Sequence, residues 1–395
     1  MSSLFSQTLA VIKMNLLSLP RRIWMSMAMI LASAVVVSIL LAFLAMAKGF
    51  ETTMSSAGSD DIAIFLREGS AAELNSVLSK EQVDLITTAP GIATDNESSE
   101  VSAELYVIVD GIKKSSQTEA NIPLRGTSNR GIAMRQNFKL TQGRMFTSGT
   151  NEMIVGEGIL RAFDGFDLNQ KVRFGKTEWQ VVGAFSTGSN VFESELWADV
   201  KIIQNLYNRG SSVQSIRAKL TSPESLASIK EYIANDPRLN LDVQLEAEYF
   251  SAQSTSLGYM ALFGKVISGI MALGALAGAL NTMYTSVADR AKEIATLRTI
   301  GFSNTSAFIG TLVEALSLSS IGGLIGSLMA FLIFDGMNTS TLGASFTQVV
   351  FSFSLTGELI LQGIIMALII GLFSGVFPAW RAARMPVLMA FRSES

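Results

Sequence analysis

Residues 23–47 read IWMSMAMILASAVVVSILLAFLAMA, 25 positions without a charge, bracketed by Arg21-Arg22 before and Lys48 after. A helix needs about 20 apolar residues to cross the hydrocarbon core of a bilayer, so this stretch is expected to span a membrane. Ala45-Met46-Ala47 resembles a leader-cleavage site, but the apolar run exceeds the h-region of a signal peptide, and a retained span is the reading adopted.

Working outward, three more charge-free stretches appear: Val266 to Ala288 between Lys265 and Asp289, Ala315 to Phe334, and Leu359 to Trp380. Between the first two spans lies a segment of soluble composition, since Lys48 to Lys265 holds 21 of the 30 Lys and Arg residues. That length is sufficient for a hydrophobic core of its own. The predicted fold is a membrane protein with four transmembrane α-helices plus a large α+β extracytoplasmic domain inserted between helices 1 and 2.

The division follows. Residues 1–22 form an amphipathic cytoplasmic N-terminal helix, in which Phe5, Leu9, Ile12 and Leu16 recur at helical spacing. It lies on the inner membrane surface or packs against the first span. Next come the first span (23–47), the extracytoplasmic domain (48–257), the second span (258–288) and a cytoplasmic segment (289–303). The third span (304–334), a short outer loop (335–357), the fourth span (358–380) and a cytoplasmic tail (381–395) complete the chain.

Orientation comes from the short loops, because Lys and Arg gather on the cytoplasmic side. With the N-terminus inside, nine cations (Lys13, Arg21, Arg22, Arg290, Lys292, Arg298, Arg381, Arg384, Arg392) are cytoplasmic, and the outer loop has none. The expected location is an inner or plasma membrane crossed four times, both termini cytoplasmic and the large domain periplasmic or extracellular.

Composition also excludes chemistry. With no Cys and no His, disulfides, His–metal sites and Ser-His-Asp catalysis cannot occur in this polypeptide. A net charge of −3 gives no footprint for nucleic acid. A phosphate-cradling Gly-x-x-x-x-Gly-Lys-Ser/Thr loop fails at both near matches, since Gln170 and Tyr259 occupy the first-glycine positions before Gly175-Lys176 and Gly264-Lys265. No catalytic, cofactor or metal residue is therefore assigned. The spans hold no acidic pair for a proton relay.

Inside the domain, Ile62 to Leu66, Ala103 to Val109, Met153 to Val155, Ser215 to Leu220 and Leu241 to Leu245 predict strands. Lys171 to Phe174 and Trp179 to Phe185 predict a hairpin around Gly175-Lys176. Ser79-Lys80-Glu81-Gln82 is a capping box, and Ser222 to Ala234 a second helix. A domain of two parts is expected.

Glycines recur four apart in three spans, as Gly274 and Gly278, Gly322 and Gly326, Gly371 and Gly375. Such pairs let helix backbones approach closely, either within one subunit or at a seam between two. Glu314 heads the third span, and an interfacial ion pair with Arg298 is expected for it, an intramembrane functional charge being the alternative.

The segment Asp289-Arg290-Ala291-Lys292-Glu293-Ile294-Ala295-Thr296-Leu297-Arg298-Thr299-Ile300-Gly301 reads as a helix with Ala291, Ile294 and Leu297 on one apolar face. It either lies along the membrane or docks in a partner's groove. Here the chain resembles the MacB/FtsX-type ABC transporter permeases, whose Arg-x-x-Glu-Ile-x-x-Leu-Arg-x-x-Gly coupling stretch is matched by Arg290, Lys292, Glu293, Ile294, Leu297, Arg298 and Gly301. The ending is similar too, with Pro378, Arg381, Arg384, Pro386 and Arg392 in the family's motif, one residue short between Arg384 and Pro386. Gly143-Arg144-Met145-Phe146, Asn151 to Gly158 and the Val172 to Phe185 hairpin resemble the family's extracytoplasmic domain.

The resemblance implies that ATP and Mg are bound by a partner ATPase dimer and that this chain carries no ATPase activity. It further implies a second permease subunit, identical or related, in a lipid membrane, with a periplasmic adaptor and an outer-membrane channel as further candidate partners. The implied activity is transmission of ATPase motion to the periplasmic domain, exporting or extracting a substrate at the outer leaflet. A mechanical signalling subunit that activates a cell-wall hydrolase is the alternative.

Overall fold

A computed structural model describes residues 4–95, 98–342 and 347–384, with the side chains of 21, 255–258 and 260 left aside. Two compact units emerge: 1–48, 259–337 and 353–395 in one, and 49–258 with 338–352 in the other.

The first unit holds the helices α1 (Leu4–Ser18), α2 (Ile23–Ser55), α3 (Glu246–Asp289), α4 (Ala291–Thr299), α5 (Asn304–Phe334) and α6 (Gly357–Arg384), of which α2 and α3 extend into the domain. Four are long and apolar enough to cross a membrane: α2, the 261–289 part of α3, α5 and α6. Their outward side chains, such as Leu324, Leu328 and Leu332, are exposed apolar groups. Water would not tolerate that patch, whereas lipid does. The helices outrun the expected spans because no proline stands at 48–55, and Glu246 and Glu248 give α3 an acidic first turn.

α1 forms as expected, but Phe5, Leu9 and Leu16 stay exposed, and a different face packs against α5. Gly310 makes that packing close: a Cβ there would stand 2.5 Å from a Val11 methyl. Packing against the first span is thus replaced by packing against the third.

The second unit is built on one sheet. Its strands run in the order Leu241–Leu245, Ile62–Arg67, Ser215–Lys219, Val101–Lys113, Glu119–Thr127, Leu196–Asp199, Glu152–Gly156, Thr177–Ser186, Lys139–Gly143. The expected hairpin is present, Lys171–Phe174 turning through Gly175 at φ +59° into Thr177–Ser186. The capping box is present too: the Gln82 N–H donates to Ser79 Oγ (3.2 Å) and the Ser79 N–H to Gln82 Oε1 (3.0 Å).

The strand Val101–Lys113 is shared between two lobes. Residues 101–104 pair with Ser215–Lys219, and residues 105–112 pair with Glu119–Thr127. One lobe packs Phe65, Leu78, Ile86, Ile216 and Ile229 under the first half. The other packs Leu105, Leu124, Phe163, Trp179 and Leu196 under the second. Trp179 and Trp197 are fully buried, each removing about 150–250 Å² from water, roughly 4–6 kcal/mol before the entropy cost of ordering. The outer loop is not a plain connection. Asn338–Leu342 and Gln348–Ser352 form a hairpin belonging to this unit, where Val350 N–H donates to Ser194 Oγ at 2.9 Å.

Candidate functional site

The segment between the second and third spans begins where α3 breaks. Arg290, at φ −100° and ψ 8°, leaves helical geometry for one residue, and α4 restarts at Ala291. Gly301 then ends the turn with φ +102°, a conformation that L side chains rarely adopt. Ile294 and Ala295 are buried, Ile294 against Val287, Ala307 and Ala382. Leu297 and Arg298 are half-buried and line a small groove with Val11 and Phe302.

At Ile294 the apolar face is therefore filled from within this subunit, and not by lipid or a partner's groove, while Ala291 and Leu297 remain half-buried. Periodicity shows which face avoids water but not which neighbour covers it. The face left open carries Lys292, Glu293, Thr296, Thr299 and Ile300, the last 69% exposed.

Behind α4 lies a buried polar cluster. Arg290 Nη1 donates to Glu314 Oε2 at 2.9 Å, Arg290 Nη2 donates to Asn15 Oδ1, and Arg290 Nε reaches Glu293 Oε2 at 3.2 Å. Arg22 Nη1 adds a bond to the Ser286 carbonyl at 2.8 Å. Glu314 thus pairs with Arg290, not with Arg298 as expected. Arg298 sits eight residues further along, about 12 Å of helix, while the break at 290 aims that guanidinium back at α5. α1, α3, α4 and α5 are joined through this one arginine.

The glycine pairs divide. A Cβ on Gly322 or Gly326 would meet the Ile30 or Ala34 carbonyl at 2.6 and 2.4 Å, and one on Gly371 or Gly375 would meet Ser319 or Ala315 at 2.8 and 2.7 Å. These four bring α2, α5 and α6 together within one subunit. Gly274 and Gly278 have open space beside them. Of the C-terminal motif, Pro378 is buried inside α6, Arg381 stands 5.7 Å over the Tyr284 ring and Arg384 4.7 Å over Trp380. Pro386 and Arg392 lie outside the described residues.

In the extracytoplasmic domain, seven buried charges meet where the strand Val101–Lys113 passes from one lobe to the other. Glu104 occupies that crossing point. It accepts from Arg125 Nη1 (2.9 Å), Arg135 Nη2 (2.6 Å) and Arg217 Nη1 (2.7 Å). Arg125 also holds Glu73 (2.9 Å) and Glu195 (2.6 Å), and Arg217 also holds Glu73 (2.8 Å) and Glu246 (2.8 Å). Arg135 Nη1 reaches Glu246 at 3.1 Å. The Phe192 ring lies beneath all three guanidiniums, 4.3 Å from that of Arg135.

Removing seven ions from water is costly, and only mutual pairing with good geometry offsets it. Burial pushes the Glu104 carboxyl up, yet Arg135, Arg217 and Arg125 overcome this and hold it at about 2. Burial likewise opposes ionisation of Glu73, which Arg125 and Arg217 hold well below the usual carboxylate range. Glu246 is the first residue of α3, so the network ends on a helix that continues toward the second span. At the same place the Ala247 N–H donates to the Ser59 carbonyl at 3.2 Å. Gly58 permits this approach, since a Cβ there would stand 2.4 Å from the Ala247 Cα.

Sequence reading did not find this network. Its members are spread from 73 to 246, and a buried Glu looks like any surface Glu in a list of letters. The available signal was Glu104 between apolar strand residues, in Val101-Ser102-Ala103-Glu104-Leu105-Tyr106-Val107. Among the described residues no group of His, Cys, Asp or Glu could hold a metal ion.

Known proteins resemble the chain in both regions. Residues 26–236 match the family described as MacB-like periplasmic core domain, and residues 265–387 match the FtsX-like permease C-terminal family. An uncharacterized ABC transporter permease of Methanocaldococcus jannaschii is 23% identical over 61% of this chain and 62% of its own length. The macrolide export ATP-binding/permease protein MacB 1 of Aeromonas hydrophila is 25% identical over 65% of this chain and 41% of its own length. The chain thus spans less than two thirds of these relatives. The crystal structure of the periplasmic region of MacB from Actinobacillus actinomycetemcomitans aligns over 49% of this chain and 92% of its own, at 16% identity and a TM-score of 0.37.

Proposed function

The chain belongs to the MacB/FtsX-type ABC transporter permeases, and from that premise we propose that it carries ATPase-driven motion to its extracytoplasmic domain, which acts on a substrate at the outer leaflet or in the periplasm. The observation that supports this reading is α3: one helix starts at Glu246 in the ion network of the domain and ends at Asp289, one residue before the Arg290 that anchors the coupling segment. A helix satisfies its own backbone hydrogen bonds, so it can carry displacement through lipid without exchanging them.

In this scheme the ATPase is a separate dimer that binds ATP and Mg, and its contact is the open face of α4 at Lys292, Glu293, Thr296 and Ile300. A second permease subunit completes the membrane unit, both termini face the cytoplasm, and a periplasmic adaptor and outer-membrane channel extend the path where an outer membrane exists.

The test is purification of the tagged chain in mild detergent, identification of the co-purifying chains, and reconstitution with them. An ABC ATPase whose hydrolysis rises with an added exported compound is the expected result. A preparation whose ATPase acts only on a co-purifying murein hydrolase, with no compound moved, would replace export by mechanical signalling. A preparation with no ATPase would overturn the reading.

A further inference from the structure

One cavity in the extracytoplasmic unit lies outside both the ion network and the coupling segment. It measures about 540 Å³, within the usual range of ligand sites. Lys113, Lys114 and Arg161 form one wall, and Asn338, Thr339 and Ser340 of the outer-loop hairpin form the other. Ser115 and Ser116, in the turn that follows Lys113, line it as well. Among the described residues that line it none is acidic, and only Ala162 and Val350 are apolar. A drug-like molecule would find little apolar surface here.

Both walls are held in place. Lys114 is tied through its N–H to the Ala162 carbonyl at 2.9 Å and through its ammonium to the Leu160 carbonyl at 2.7 Å. Arg161 is braced by Glu157 at 3.4 Å and by the buried Glu193 at 3.2 Å, which leaves part of its donor fork unused. Opposite, Ser194 Oγ holds the hairpin at Val350 by accepting from its N–H at 2.9 Å. Two braced cations, Lys114 and Arg161, with Lys113 beside them and hydroxyl and amide groups opposite, form a donor set suited to an oxyanion with more than two terminal oxygens. A carboxylate, with two oxygens and one charge, would leave most of the set unused.

We propose that this cleft binds a phosphate-bearing ligand, either free phosphate or the headgroup of a phospholipid. Lys113 and Lys114 supply point charges, Arg161 supplies a braced N–H, and the hairpin hydroxyls orient the remaining oxygens.

The experiment is calorimetric titration of the full chain, in detergent and phosphate-free buffer, with inorganic phosphate and separately with dihexanoylphosphatidylglycerol below its micelle concentration. Saturable binding of either is expected. Binding of both identifies phosphate itself as the recognised group, and binding of the lipid alone identifies a headgroup. In the double variant Lys113→Glu/Lys114→Glu, affinity should fall at least about tenfold, as loss of charge-assisted hydrogen bonds predicts. The control Lys80→Glu/Lys176→Glu makes the same charge change at exposed positions elsewhere and should bind as the parent does. Should the acidic pair fail to fold, Lys113→Gln/Lys114→Gln gives the same comparison. Absence of saturable binding, or equal loss in the control, overturns the proposal.

Discussion

Arg217 Nε donates to Glu246 Oε1 at 2.8 Å, and this contact ties a strand near the middle of the extracytoplasmic sheet to the first residue of α3. Glu246 accepts from Arg135 as well, so the start of the helix is held from two directions. The same guanidiniums hold Glu104, at the crossing between the lobes. Glu246 is therefore connected, through two arginines, to the strand that both lobes share.

Removing Arg125 should be severe. Arg125→Met would leave Glu73, Glu104 and Glu195 buried with fewer partners, and breaking a buried pair costs about 3–5 kcal/mol. The exposed Lys171–Glu178 pair, at 2.7 Å, is a control whose loss in Lys171→Met should leave the unfolding midpoint nearly unchanged. Denaturant unfolding followed by tryptophan fluorescence checks both, since Trp197 Nε1 donates to Glu195 at 2.7 Å.

Acid should weaken the domain only at low pH. A carboxyl held at about 2 in the folded state, against 4.5 as the ordinary value, contributes stability that is complete above 4.5 and disappears as pH falls toward 2. Thermal midpoints should stay level from pH 7 to about 5 and then fall. Glu104→Gln should start lower at neutral pH and show a shallower decline; a midpoint that fell already between pH 7 and 6 would contradict this assignment.

The two faces of α4 should respond differently. Ile300→Asp changes an exposed position and should leave the melting temperature unaltered while reducing ATPase stimulation in the reconstituted complex. Ile294→Asp places a charge against Val287, Ala307 and Ala382, so its first effect should be destabilisation of several kcal/mol, read as early thermal inactivation in detergent.

The glycine pairs offer a third contrast. Gly326→Leu must force α2 away from α5, because even a Cβ would lie 2.4 Å from the Ala34 carbonyl. Loss of the folded species in size-exclusion chromatography is expected. Gly274→Leu enters open space and should leave the thermal midpoint of the single subunit unchanged.

Replacing Arg290 by Met should loosen the bundle as well, since Glu314, 3% exposed, loses its nearest cation. Arg290→Met/Glu314→Met should recover much of that loss, because two apolar groups remove the unpaired charge along with the pair. A double variant no more stable than the single one would refute the coupling.

The spans were legible because lipid imposes one requirement on every residue of a crossing helix, and runs such as 23–47 and 359–380 show it directly. The Gly175-Lys176 hairpin and the Ser79 capping box were legible because their cause is local. Partners drawn from distant segments were not. Glu314 was assigned to Arg298 by proximity along the chain, whereas a one-residue break decides that Arg290 reaches it. The amphipathic face of α4 was visible, but its neighbours come from three other helices. The outer-loop hairpin escaped notice because Asn338-Thr339-Ser340-Thr341 reads as a polar connection, and its pairing with Gln348–Ser352 becomes evident only in the register.

Synthesis order gives the seven-charge network a further meaning. A chain emerging from its N-terminus delivers Glu73 first and Glu246 last, 173 positions later. Until Glu246 arrives, Arg135 and Arg217 each lack one of the carboxylates they hold in the folded domain, although both can already meet Glu104. The last two ion pairs of the outer domain therefore form only once the chain has reached the helix that carries the second membrane crossing.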